Sequence, residues 1–277
     1  MKVRDLLDEI GIQPKKSLGQ NFCVDERIIN SVLNVLKSEF SDNPPEEIWE
    51  IGPGLGSLTE ALFGFPAKIK LFEIDQRLRN HLESLCKEHR QVEIHWGDFL
   101  LADFPRNLLN LKGSFVVCGN LPYFCGTAIV RKLVELDSPP KKMVFVLQKE
   151  VSKKASALPG SDEYGFLSVA VQLFADAKSG ETFSSSSFFP NPKISSALLI
   201  LTPFRLSDDE REIRKLALNL ASVAFSQRRK KMLSVISKAI PLKSGTWIEF
   251  FDTFGISRDV RAEELTPEIF IKLAQVI

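Results

Sequence analysis

The chain has no apolar run approaching the roughly 20 residues a helix needs to cross a bilayer, so a membrane-spanning protein is not expected. It has four cysteines, Cys23, Cys86, Cys118 and Cys125, none in a C-x-x-C pair. That spacing offers neither a disulfide framework nor a zinc ribbon and fits a reducing compartment. The three histidines, His81, His89 and His95, fall among helix and strand residues rather than in a ligand cluster, so no metal is expected. There is no Gly-Lys-Ser/Thr phosphate loop and no internal repeat, and Ser184 to Ser187 is the one low-complexity stretch. Met1 to Ile10 alternates charged and apolar residues like an amphipathic helix. It lacks the apolar centre of a signal peptide, its acids argue against a mitochondrial presequence, and a cytoplasmic location is expected.

A large charge excess is also missing, since the formal net charge is +1 over 277 residues. The balance is uneven along the chain. Residues 1–203 carry 23 Lys+Arg against 25 Asp+Glu, and residues 204–277 carry 13 against 10. Arg228, Arg229, Lys230 and Lys231 concentrate that small surplus. Such a run is either a solvated helix face or a patch that contacts phosphates.

What remains is a globular composition, 44% hydrophobic and 26% charged, long enough for a large core or two domains. Helical periodicity over 25–37 is followed by alternation: strand 47–51, helix 57–63, strand 68–73, helix 75–87, strands 91–95 and 114–119, helix 126–135, strand 142–148. This predicts a doubly wound, mostly parallel α/β sheet. Residues 149–156 and 166–175 read as helix. Glu181 to Phe183 and Ala197 to Leu201 read as strands of an antiparallel edge hairpin, and Ser184 to Pro192 between them as a loop. After Thr202-Pro203-Phe204 only helical patterns occur, near 208–225, 229–239, 246–253 and 267–276. The boundary is therefore placed at 203/204, with a Rossmann-like domain over 1–203 and a small all-helical domain over 204–277.

Chemistry concentrates at the strand ends. Glu50 to Gly56 (Glu-Ile-Gly-Pro-Gly-Leu-Gly) joins a strand to a helix, and such a glycine turn lets a ligand approach the backbone. Its spacing is not the dinucleotide G-x-G-x-x-G. The next strand ends in Glu73-Ile74-Asp75, where an acid can accept hydrogen bonds from ribose hydroxyls, and the third leads to Gly97-Asp98-Phe99, where Asp98 can accept from an adenine amine. The fourth ends in Asn120-Leu121-Pro122-Tyr123. An exocyclic adenine amine is a poor nucleophile, because its lone pair is delocalised into the ring. The Asn side-chain oxygen and the carbonyl before proline can accept from its two N–H groups, and the tyrosine offers a stacking face. A plain Asn-x-Pro turn has the same letters. Together the four strand ends predict an S-adenosylmethionine site beside a target-amine pocket.

Eight stretches resemble the rRNA adenine N6,N6-dimethyltransferase family: Lys15 to Phe22, Glu50 to Gly56, Asn120 to Tyr123, Leu147 to Val151, Tyr164 to Val169, Phe188 to Ala197, Ala224 to Lys230 and Arg261 to Glu263. The resemblance is nearest to the bacterial small-subunit branch, known for kasugamycin sensitivity. It implies an enzyme that transfers methyl groups from S-adenosylmethionine to two adjacent adenosines in the 3′-terminal hairpin loop of 16S rRNA, within immature small subunits, as a monomer without membrane or metal. It implies that Asn21, Cys23, Gly52, Gly54, Glu73, Asp98 and Asn120 bind the cofactor, and that Asn120 and the Leu121 carbonyl, set by Pro122, hold the amine. Tyr123 and Phe188 sandwich the base, while Arg228 to Lys231 contact RNA. Two departures stand out: Cys23 replaces a more usual leucine, and Phe124-Cys125-Gly126 replaces a more usual Asn-Ile-Ser. The alternatives are a large-subunit enzyme of the macrolide-resistance type and an assembly factor in which binding outweighs catalysis.

Overall fold

The computed structural model describes residues 3–41, 44–102, 114–227, 229–242 and 245–277. It divides into two compact units, Met1–Ser152 with Lys178–Pro203, and Lys153–Ala177 with Phe204–Ile277. The segment 153–177 thus groups with the C-terminal helices and not with the sheet that precedes it.

The first unit is built on a seven-stranded sheet, with strands β2 (Glu47–Ile51), β3 (Lys68–Glu73), β4 (Val92–Trp96), β5 (Phe115–Asn120), β6 (Lys142–Gln148), β7 (Ala175–Phe183) and β9 (Ser196–Pro203) in the order β4-β3-β2-β5-β6-β9-β7. Strands β2 to β6 pair in parallel, and β9 runs antiparallel to β6. Every residue of β2 is buried, and so are the first five of β5, which is why Phe115 to Gly119 reads as an apolar run rather than an alternating one. Strand order reverses between β2 and β5, and the crevice at the carboxyl ends of such strands is where open α/β sheets bind ligands.

Helices α1 (Val3–Glu9), α2 (Glu26–Lys37), α3 (Ser57–Leu62), α4 (Arg79–Cys86) and α5 (Gly126–Val134) belong to this unit. Helix α2 starts where Asp25 accepts the Arg27 N–H at 3.0 Å, and it buries Ile28, Val32, Leu33 and Leu36 in the sheet's core. A two-residue ladder, β1 (Phe22–Cys23) with β8 (Phe188–Phe189), sets Cys23 opposite Phe188. The composition of 184–192 predicted only a loop there.

The second unit contains α7 (Phe166–Gln172), α8 (Asp208–Phe225), α9 (Met232–Ala239), α10 (Thr246–Thr253) and α11 (Pro267–Ala274); α6 (Lys149–Ala155) runs into it from β6. Ser207 and Glu210 form a reciprocal capping box at the start of α8. Tyr164, fully buried, donates its hydroxyl to the Leu265 carbonyl at 2.8 Å, and the Gly160 N–H reaches the Glu263 carbonyl at 2.9 Å. These bonds tie the segment before α7 to the chain's last third. Among the described residues, no helix is long and apolar enough to cross a membrane.

Candidate active site

One cleft in the first unit, about 790 Å³ with its open mouth included, is walled by four pieces of chain: Leu18 to Cys23, the end of β2 with the turn after it, Glu73 with Ile74, and Asn120 to Tyr123. The turn works because Gly52, Gly54 and Gly56 all have positive φ, +71°, +59° and +86°, which other residues adopt only with strain. This conformation aims the Gly54 N–H at Glu73.

Glu73, at the end of β3, is buried and accepts from the Gly54 N–H at 3.0 Å and from the Asp75 N–H at 2.8 Å, one with each carboxylate oxygen. Burial pushes its pKa up, against the pull of those amides. Each oxygen keeps a second acceptor direction for a ligand hydroxyl. Glu50 is a functional group that the sequence motif conceals, because it stands there only as the first letter of the glycine turn. It lies on the cleft wall, is 2% exposed, and accepts the Thr59 hydroxyl at 2.6 Å. Burial, with Glu73 nearby, pushes its carboxyl up to about 8. A second acid, after Glu47, in a five-residue strand whose other residues are apolar was the available signal.

The N-terminal wall is tied down at two points. Gln20 donates to Asp75 at 2.7 Å, and Asp75 also takes the Arg77 guanidinium. Asn120 donates its side-chain amide to the Asn21 carbonyl at 2.8 Å, so its amide nitrogen is engaged and its oxygen remains the acceptor. The Leu121 N–H bonds to the Val146 carbonyl at 2.9 Å, fixing the backbone just before Pro122, whose carbonyl receives the Cys125 and Gly126 N–H groups as α5 begins. The Tyr123 hydroxyl lies 2.8 Å from Ser196 Oγ, and burial raises its pKa. Cys23 lines the cleft, but burial lifts its thiol to about 11, so it is an unreactive thiol.

Asn21, Cys23, Gly52, Gly54, Glu73, Asn120, Leu121, Pro122 and Tyr123 therefore meet on one cleft. Asp98 does not line it. It lies just past β4, where it accepts the Leu100 N–H at 2.8 Å, and Lys132 of α5 clamps the same turn through the carbonyls of Phe99, Leu100 and Ala102. Phe188 departs from the expectation that it faces the base pocket. It is 1% exposed in the core cluster that holds Ile28, Val146 and Leu198. Neighbouring residues on a strand point to opposite faces, and here Phe188 takes the inward face while Phe189 is half-buried beneath the Arg4 guanidinium.

The basic run also differs from its sequence reading. Helix α9 begins at Met232 rather than 229, because Lys231 has extended ψ, 130°. Arg229, Lys230 and Lys231 thus occupy the turn before it, and Arg228 lies outside the described residues. Lys231 pairs with Asp259 at 2.6 Å on the open surface. Among the described residues, no three His, Cys, Asp or Glu side chains gather in a way that could hold a metal.

A glycine turn at a sheet switch point, a buried acid at the next strand end and an Asn-Leu-Pro-Tyr corner define a Rossmann-like methyltransferase whose acceptor is an amine. The model of the ribosomal RNA adenine dimethylase family matches residues 11–277, and the chain belongs to that family. It is an S-adenosylmethionine-dependent rRNA adenine-N6,N6-dimethyltransferase. A ribosomal RNA small subunit methyltransferase A from Bacillus pumilus is 34% identical over 100% of this chain and 96% of its own. One from Staphylococcus haemolyticus is 39% identical over 98% and 93%. The fold matches a dimethyladenosine transferase from Plasmodium falciparum (TM-score 0.75, 21% identity, 91% of this chain and 95% of that one). It also matches the 23S rRNA methyltransferase ErmE (TM-score 0.68, 22% identity, 92% and 98%).

Proposed function

We propose that the enzyme dimethylates N6 of two adjacent adenosines in the 3′-terminal hairpin loop of 16S rRNA, acting as a monomer on immature small subunits in the cytoplasm. The choice of subunit rests on full-length similarity to small-subunit enzymes at 34% and 39% identity. The amine chemistry rests on one contact, the Asn120 amide donated to the Asn21 carbonyl.

The cleft's chemistry fits the cofactor. Glu73 offers acceptors for the ribose diol, the glycine turn gives a ligand access to the backbone, and Glu50, also on the cleft wall, is the acid that would meet the cofactor's cationic methionine end. The cofactor supplies a methyl group on a sulfonium, which is already a good leaving group. Asn120 Oδ1 and the Leu121 carbonyl accept hydrogen bonds from the adenine amine and favour a pyramidal nitrogen with its lone pair exposed. Tyr123 stacks on the flipped base. No base is needed before attack, since the amine becomes acidic only when methylated and then gives its proton to water. Catalysis comes from orientation and from hydrogen bonds that strengthen as the nitrogen rehybridises. We assign Asp98 to the adenine end of the cofactor, from its turn beyond β4, and the run Arg228 to Lys231 to rRNA phosphates. The second unit, including residues 204–277, is the RNA-binding part.

Immature small and large subunits, incubated separately with labelled S-adenosylmethionine and analysed as nucleosides, test this reading. Label is expected in N6,N6-dimethyladenosine at the 3′ end of 16S rRNA. Label confined to the large subunit overturns it.

A further inference from the structure

We propose that Phe124 is a stacking platform for the base that flanks the adenosine undergoing methylation. The inference rests on reading Asn120 to Tyr123 as the target pocket. Two phenylalanines are exposed among the described residues, Phe124 at 64% and Phe204 at 37%. Phe204 has the Arg214 guanidinium 5.2 Å from its ring centre. Phe124 is the more exposed of the two, and it follows directly on Tyr123.

Its ring is seated rather than dangling. Gly19 has φ +59°, and a Cβ there would lie 3.0 Å from Phe124 Cδ1 and 3.4 Å from Pro122 Cβ. The missing side chain is what lets the ring rest on the backbone of the N-terminal wall. Gly19, Pro122 and Tyr123 all line the cleft, so Phe124 sits on the rim of the pocket that takes the target base. Its remaining surface is open to solvent.

The substrate explains why an aromatic ring would be left in water at that spot. Taking one adenine out of its stack uncovers the π-face of its neighbour. An exposed ring at the rim can replace the lost stacking partner, and base–aromatic stacking does not depend on which base is presented. With two adjacent target adenosines, the neighbour is itself the other substrate. Phe124 would then hold the second adenosine in place while the first reacts.

The test uses Phe124→Ala, Phe124→Leu and Phe124→Trp in the full chain. Two readouts are methyl transfer to immature small subunits and calorimetric S-adenosylmethionine affinity. A third is the fluorescence of a 16S 3′-hairpin RNA carrying 2-aminopurine at the flanking position. Alanine and leucine are expected to raise the KM for subunits roughly tenfold, with kcat and cofactor affinity nearly unchanged. They should also abolish the 2-aminopurine quenching expected with the natural protein, and tryptophan should restore both. Leucine separates stacking from mere apolar cover. A Phe124→Leu enzyme with the natural KM and quenching, alongside normal methylation by the natural protein, overturns this inference alone. A natural protein that leaves small subunits unmethylated refutes the substrate reading and this inference with it.

Discussion

Replacing Glu50 by glutamine should change how stability depends on pH more than it changes stability itself. The carboxyl holds its proton to about pH 8 in the folded protein, against an ordinary value of 4.5, chiefly because burial disfavours the anion. In the unfolded chain it ionises near 4.5. Below that pH both states are protonated and Glu50 costs nothing. As pH rises from 4.5 to 8 the unfolded state gains from ionisation and the folded state does not, so folding loses about 1.4 kcal/mol per pH unit. The loss levels off above 8 at on the order of 4–5 kcal/mol. Glutamine does not titrate, so Glu50→Gln should gain on the natural protein steadily between pH 5 and 8. A fixed offset from rearrangement around Thr59 shifts the curve without tilting it. Urea unfolding of both proteins at pH 5.5, 7 and 9 gives the difference directly. Glu73, also raised by burial, tilts both curves alike and cancels. The same reasoning gives a sign for binding. A cationic ligand favours ionised Glu50, so S-adenosylmethionine affinity should climb as pH approaches 8, and the glutamine variant should flatten that climb. A stability difference that stays constant from pH 5.5 to 9 would refute the argument.

Asn120→Ala should fold, keep most of its cofactor affinity and lose nearly all turnover in single-turnover methylation of small subunits; turnover within a few-fold of normal would remove Asn120 from the chemistry. Tyr123→Phe loses only the bond to Ser196 and should cost about 1 kcal/mol of stability by urea unfolding, with modest loss of rate if the ring face is what serves the base; a rate loss as large as that of Tyr123→Ala would point to the hydroxyl instead. Neutralising Arg228, Arg229 and Lys230 should weaken rRNA binding and flatten its dependence on log salt by about 0.7–0.9 for each phosphate no longer neutralised. Lys231, already paired with Asp259, should matter least, and an unchanged slope would make the run ordinary surface. Phe188→Ala should lower stability by about 3–5 kcal/mol, as expected for emptying a core site, visible in the melting temperature; an unshifted melt would contradict its place in the core.

Strands β5 and β6 were legible as apolar runs, and β2 and β4 by the glycines that close them despite their charged residues; β6 matches its expected bounds. Strand β7 was legible only at Glu181 to Phe183. Its middle residues, Asp176 to Thr182, are largely exposed and polar, so no apolar alternation marks them. The helix expected over 166–175 stops at Gln172 because the chain turns there into β7. The Phe22–Cys23 ladder with Phe188–Phe189 joins segments far apart in sequence, and two residues are too few to show a period. Nine site residues that strand ends and the family resemblance singled out share one cleft. The role of Glu50 as a titrating group was hidden inside a motif valued for its glycines. The inward turn of Phe188 depends on which of two adjacent aromatics pairs with Cys23, and letters alone do not decide that. The pairing of Lys231 with Asp259 likewise depends on where a distant turn returns.

The chain leaves its first unit after Ser152, comes back at Lys178 and leaves again after Pro203, so the helical unit is made of two separate stretches of sequence rather than one C-terminal tail. A stop codon after Pro203 would therefore not release a tidy enzyme core. It would strand Tyr164 without Leu265, Gly160 without Glu263 and the Leu173 carbonyl without Arg214, and would uncover a segment rich in buried side chains, among them Val169, Val171 and Phe174. The chain crosses between the units three times, after Ser152, Ala177 and Pro203, so no single cut separates them. A ribosome translating this message has already made β2 to β6 when it reaches 153–177, but that segment must wait for residues after 204 before it can be covered.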